Sequence, residues 1–233
     1  MFVCGRNVAK DLIKNNQTIY KAILQDDFHD KELISLLENA KIKIEYVSKR
    51  EIDHFDIGNH QGIILSIPDY SYYSMDSIYD NSNDVVVILD HIEDPHNFGA
   101  IIRTCEAAGI KSIIIPNDRQ VLVNATVMKT SCGTVDSVHI VKVTNISNAI
   151  EELQQNGFWV VGTSLNDRSQ DYREIDYSGK IALVVGNEGS GLSDLVSKKC
   201  DFIAKIPMYG TTNSLNVSVA TGIMIYEIMR NRK

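Results

Sequence analysis

The chain has 233 residues, 44% hydrophobic and 23% charged, with only 4 prolines. That usage excludes disordered, collagenous and coiled-coil proteins. Its net charge of −7, with neither the first 69 residues nor the remainder basic, argues against a nonspecific polyanion binder, since phosphate neutralisation needs clustered Lys and Arg. An enzyme with a local basic surface stays open. No run reaches the roughly 18 apolar residues of a membrane span. The opening MFVCGRNVAKDLIKNN lacks the apolar core of a secretory signal, so a cytoplasmic location is expected. Cys4, Cys105, Cys132 and Cys200 form no CxxC pair, and neither a disulfide framework nor a zinc site is expected.

In chain order, Ile19–Leu24 reads as a strand, and Leu33, Ile34, Leu36 and Leu37 give Lys31–Ala40 helical apolar spacing. Ile42–Val47 and Gly62–Ile67 read as further strands. The polar stretch Asp69 to Asn83 reads as a linker. Its tyrosines Tyr70, Tyr72, Tyr73 and Tyr79 could stack on bases, but pinning the linker to its neighbours is the favoured reading. Near-continuous apolar runs then follow at Val85–Leu89, Ile113–Ile115, Val138–Val143, Trp159–Val161, Ile181–Val185 and Phe202–Ile206. Helical stretches such as Gly99–Ala108 and Ile146–Asn156 lie between most of them. Such alternation predicts a parallel sheet covered by helices. The predicted division is 1–69, a linker at 70–83, and an α/β domain at 84–233.

Three segments rich in Gly, Asn and Ser sit at strand ends, where open α/β sheets bind ligands. In Leu89–Gly109, Asn97 reads as a helix N-cap, and Arg103 is a lone cation among apolar neighbours, which calls for an anionic partner. The acidic and histidine residues at 90–96 lack HExxH spacing and read as a polar loop. In Val184–Ser193, glycines at 186, 189 and 191 let the backbone approach a flat ligand or turn sharply. There is no phosphate-binding GKS or GKT. In Ile206–Ala220, Asn213, Ser214, Asn216 and Ser218 crowd before a helix, which suits phosphate or purine recognition as well as simple capping.

The order and spacing of DPHNFGAIIRTCEAAG, VVGNEGSGLS and IPMYGTTNSLNVSVATG resemble the SpoU (TrmH-type) class of the SPOUT superfamily, AdoMet-dependent RNA ribose 2′-O-methyltransferases. GRNVAKDLI and His60–Ile63 extend the resemblance to the substrate-binding domain of the RlmB-like subgroup. Thr134 and Asp136 depart from the family's usual Ala and Glu after SCG.

The resemblance implies a C-terminal α/β domain tied in a deep trefoil knot, an exception to the rule against threaded chains, and a small L30e-like α/β N-terminal domain. It implies AdoMet held by Thr163, Ser164, Gly186, Asn187, Gly189, Gly191, Ile206, Met208, Ser214, Leu215 and Asn216. Catalysis would fall to Arg103, Asn97, Glu188, Ser214 and Asn216, with no metal. The implied substrate is RNA, foremost a guanosine of 23S rRNA, and the implied assembly a homodimer through the C-terminal domain. Val217, Ala220, Ile223, Met224 and Ile228 of the last helix could serve that interface or the core. A tRNA ribose, or an adenosine whose methylation confers thiopeptide resistance, is the rival substrate. A non-catalytic RNA-binding module is the rival class and would need no intact Asn97, Arg103 and Glu188. A dehydrogenase would need G-x-G-x-x-G, which is absent.

Overall fold

A computed structural model describes every residue except Asp56, Gly58, those at 80–83, Glu188, Ser190, Asn231 and Lys233. It divides into two units, Met1–Ser71 with Val123–Gly133, and Tyr72–Leu122 with Thr134–Lys233. The segment Val123–Gly133, which the sequence division places in the second domain, groups with the first unit.

In the first unit β1 (Phe2–Cys4), α1 (Arg6–Lys14), β2 (Lys21–Gln25), α2 (Lys31–Asn39), β3 (Lys43–Val47), α3 (Lys49–Asp53) and β4 (Ile63–Ser66) follow one another. The sheet order is β1-β4-β2-β3, with β2 parallel to β3 and antiparallel to β4. Short side chains start α2 and α3. Asp30 accepts the Leu33 N–H, and Ser48 with Glu51 forms a capping box at α3, each satisfying donors that a helix start leaves orphaned. Strands β2 and β4 lie close to their predicted positions.

The linker contains a short helix, α4 (Asp76–Tyr79), and the second unit continues through β5 (Val85–Asp90), α5 (Pro95–Ala107) and β6 (Ser112–Pro116). Helix α6 (Ala125–Thr130) packs on β1 within the first unit. Then come β7 (His139–Val143), α7 (Ile146–Gln155), β8 (Phe158–Thr163), β9 (Ser169–Asp171), β10 (Lys180–Gly186), α8 (Asp194–Lys199), β11 (Phe202–Lys205) and α9 (Val217–Met229). Seven strands form one sheet in the order β7-β6-β5-β10-β8-β11-β9, with every pairing parallel. This is the α/β architecture the apolar runs predict. Val86, Ile88, Ile114, Val160, Ala182 and Val184 share one core with Ile150 and Leu153 of α7, each buried Val, Ile or Leu contributing roughly 1.5–3 kcal/mol. Strand β9 is polar (SQD), so apolar periodicity misses it.

Three of the four linker tyrosines, Tyr72, Tyr73 and Tyr79, are held within the second unit. Tyr73 stacks on His139 with centroids 4.0 Å apart. Lys142 Nζ lies 4.7 Å from the Tyr72 ring centroid, and the half-buried Tyr79 hydroxyl donates to Glu152 at 3.1 Å.

One local expectation is corrected, and one left open is decided in part. Asn97 does not cap α5: the helix begins two residues earlier, and Asp94 accepts the His96 N–H at 2.8 Å. Pro95 at the first position needs no such acceptor, which moves the start upstream and leaves Asn97 buried inside the helix. In α9, Val217, Met224 and Ile228 take the core role of the two left open for them, while Ala220 and Ile223 are half-buried. The exposed apolar side chains of that helix are Val219 and Tyr226 instead.

Candidate functional site

The carboxyl ends of β8, β10 and β11 and the loops that follow them enclose a cavity of about 410 Å³. That is within the usual range for small-molecule sites, and strand ends of a parallel sheet are where such sites form. Ten of the sequence-predicted residues line it: Thr163, Ser164, Gly186, Asn187, Gly189, Gly191, Ile206, Met208, Ser214 and Leu215. Leu165, Lys205, Asn213, Val217 and Ala220 also contribute. None of these is in the expected cofactor set: Asn213 stands out only as one of the polar residues crowded before α9, and nothing in the type of the other four distinguishes a wall residue from a core or surface one.

The glycines act through close approach. A Cβ on Gly186 would lie 2.2 Å from the carbonyl carbon of Gly191, nearer than any real side-chain contact. Gly191 has φ +67°, a left-handed conformation that glycine adopts without steric cost. Asn187 and Gly191 exchange two backbone hydrogen bonds of 3.0 and 2.9 Å, closing the loop. The Asn187 side chain accepts the Gly189 N–H at 2.9 Å and donates to the His91 carbonyl at 2.8 Å.

Asn216 lies outside the cavity wall. It caps α9, its Oδ1 accepting the Ser218 and Val219 N–H groups, and its Nδ2 donates to Oδ1 of the buried Asn97 at 3.0 Å. Thus α5 and α9, which pack together, also meet through two polar side chains from different motifs. Arg103 is exposed on α5 and is not part of the cavity wall. Its neighbours Ile101, Ile102 and Cys105 are fully buried, which anchors the helix beneath it. Glu188 lies outside the described residues.

Asp90 is a feature the sequence reading leaves as part of a polar loop. It ends the otherwise apolar β5 and is 1% exposed. Ser193 donates to it from both its backbone N–H and its hydroxyl, at 3.0 and 3.1 Å. An acid closing a run of buried Val, Ile and Leu is the signal that could have singled it out. Among the described residues, no group of three or more His, Cys, Asp or Glu is arranged to hold a metal, and no helix is long and apolar enough to cross a membrane.

Residues 84–226 match the sequence profile of the SpoU rRNA Methylase family. Residues 2–73 match that of RNA 2′-O ribose methyltransferase substrate binding. A Staphylococcus epidermidis protein assigned to the TrmH family of tRNA/rRNA methyltransferases is 40% identical, over 99% of this chain and 95% of its own. Among solved structures, the AdoMet-bound rRNA methyltransferase from Sinorhizobium meliloti is similar across 100% of this chain and 87% of its own, with TM-score 0.78 and 27% identity. The TrmH/SpoU tRNA modifying enzyme of A. aeolicus is similar over 65% of this chain and 76% of its own, with TM-score 0.60 and 38% identity.

Proposed function

We propose that this chain, which belongs to the SpoU rRNA methylase family, methylates the ribose 2′-hydroxyl of a guanosine in large-subunit (23S) ribosomal RNA. Membership itself makes it an AdoMet-dependent RNA 2′-O-methyltransferase; the choice of RNA and nucleotide is our reading. The observation that carries it is coverage. Likeness to the rRNA methyltransferase spans the whole chain, first unit included, whereas likeness to the tRNA modifying enzyme covers 65% of it. The higher identity of that tRNA enzyme, 38%, keeps a tRNA ribose as the second reading. Mapping 2′-O-methyl groups in RNA from a strain lacking the protein tests both. Loss of one guanosine methylation in large-subunit rRNA is expected, and loss confined to tRNA would overturn the assignment.

The cavity fits AdoMet. Gly186, Gly189 and Gly191 bring bare backbone to its wall, Ile206, Met208 and Leu215 offer an apolar slot for the adenine, and Thr163, Ser164, Asn187 and Ser214 supply polar groups. When bound, AdoMet supplies an electrophilic methyl on a sulfonium centre. The residues beyond the cavity wall have then to hold a ribose O2′ in line with that methyl, and such alignment is a large part of the rate gain. In our reading Arg103 does this through the adjacent phosphate. Its guanidinium stays protonated, so it acts as a cation that stabilises charge developing on O2′, and the proton leaves to a phosphate oxygen of the RNA. Asn97 and Asn216 fix the two helices that carry the site. Ser214 lines the cavity, and the catalytic role expected of Glu188 falls outside the described residues.

The same reading includes a trefoil knot in the second unit, a division at 70–83 and a homodimer through the C-terminal domain in the cytoplasm. Support for the dimer comes from α9, whose Val219 and Tyr226 are 51% and 58% exposed on a helix whose Val217, Met224, Ile225 and Ile228 are buried.

A further inference from the structure

We infer that Asp90 and His91 are positioning residues for the cofactor, holding the glycine loop between β10 and α8 in the shape that receives AdoMet. The inference rests on the AdoMet reading of the cavity.

Neither residue lines the cavity, yet both are tied to its wall. Asp90 is the register partner of Gly186 across the β5–β10 pairing. One carboxylate oxygen takes both donors of Ser193, at the far end of the glycine loop. The other lies 2.7 Å from His91 Nδ1, so the ring donates there. The His91 carbonyl in turn accepts Asn187 Nδ2 at 2.8 Å, near the start of the same loop. The loop is therefore gripped at both ends from the tip of β5.

Two costs mark this clasp as something more than filler. A carboxylate at 1% exposure is expensive to bury and is retained only when well bonded. His91 has φ +67°, a strained conformation for a residue with a side chain, of the kind that persists at ligand clamps because its surroundings over-determine it. Here its ring and its carbonyl are both held.

The test is AdoMet binding by calorimetry, beside single-turnover transfer at saturating AdoMet and the melting temperature, on Asp90→Ala, Asp90→Asn and Ser193→Ala. Asp90→Ala should weaken AdoMet about tenfold or more, because the hydrogen bonds from Ser193 and His91 that hold the loop are lost, with transfer at saturation within about threefold of the parent. Asp90→Asn can still accept from Ser193 while donating to His91, so it should recover most of the affinity. Ser193→Ala, which keeps the backbone bond, should fall between. If Asp90→Ala does not fold, the ordering of the other two variants decides. AdoMet affinity within about twofold of the parent in every folded variant, or a loss of transfer at saturation with unchanged affinity, would overturn the inference. Failure of the unmodified protein to bind AdoMet would instead overturn the reading on which it rests.

Discussion

Asn216 Nδ2 donates to Asn97 Oδ1 at 3.0 Å, joining two side chains 119 positions apart in the sequence. One caps α9 and the other is buried in α5, so this single bond registers two helices of the site. Asn216→Ala removes both the cap and the donor, and should cost about 1 kcal/mol through the cap alone. Asn216→Asp keeps the capping oxygens but cannot donate to Asn97. It should stay closer to parental stability in urea unfolding while losing methyl transfer as severely as the Ala variant. Equal stability loss in both, with transfer intact in Asp, would show that the contact serves only the cap.

Arg103 separates chemistry from structure. Because it is exposed on a helix anchored by buried neighbours, Arg103→Ala should fold and bind AdoMet normally. Single-turnover transfer should fall about 10²–10³-fold, the usual worth of one well-placed transition-state contact. Arg103→Lys should rescue poorly, since it keeps the charge but loses the planar fork. Near-parental transfer by folded Arg103→Ala would remove it from the mechanism.

Gly186 admits no side chain. Its added Cβ would meet the Gly191 backbone at 2.2 Å, and backbone cannot swing aside as a side-chain tip can. Gly186→Ala should destabilise the second unit by about 1–3 kcal/mol, as overpacking does, and abolish AdoMet binding in calorimetry. Gly189, whose Cβ would meet only the Asn187 side chain at 3.5 Å, should keep near-parental stability as Ala.

Much of this arrangement is legible in the residues. Val85–Val87 and Ile181–Val185 are apolar without alternation because both faces of a parallel sheet are covered, and the strands fall where that pattern puts them. The glycines of the cofactor loop are visible as glycines. What is hidden is pairing at long range: nothing local says that Asn216 meets Asn97, or that Asp90 reaches Ser193 across 103 positions. The Asn97 cap assignment fails because Asp94 and Pro95 compete for the same helix start and win. The division of the chain is blurred for a similar reason, since α6 is continuous in sequence with the second unit yet packs on β1.

Thiol chemistry offers a check on burial. Burial pushes the Cys200 thiol up to about 12 and also raises Cys4 and Cys105, while Cys132 is exposed. A thiol whose folded pKa is raised adds stability that is full below its ordinary value of 9.0 and is lost as pH climbs toward the folded value. At neutral pH, iodoacetamide should therefore label Cys132 alone in the native protein and all four cysteines in urea. Rapid native labelling of Cys200 would contradict its burial at the end of α8.

Dimerisation is tested by light scattering at micromolar concentration. A dimer is expected, and Tyr226→Asp, which places a charge on the exposed face of α9, should shift it toward monomer. A monomeric parent protein would remove the assembly from the account.

The most direct measurement is transfer of a labelled methyl group from AdoMet to purified RNA by the unmodified protein, followed by alkaline hydrolysis and nucleotide mapping. Ribose 2′-O-methylation blocks cleavage at the modified nucleotide, because the neighbouring hydroxyl that attacks the phosphate is gone. The account predicts label in an alkali-resistant dinucleotide beginning with guanosine, from large-subunit rRNA and not from tRNA. Label in alkali-sensitive mononucleotides would mean methylation of a base, and would contradict the account at its centre.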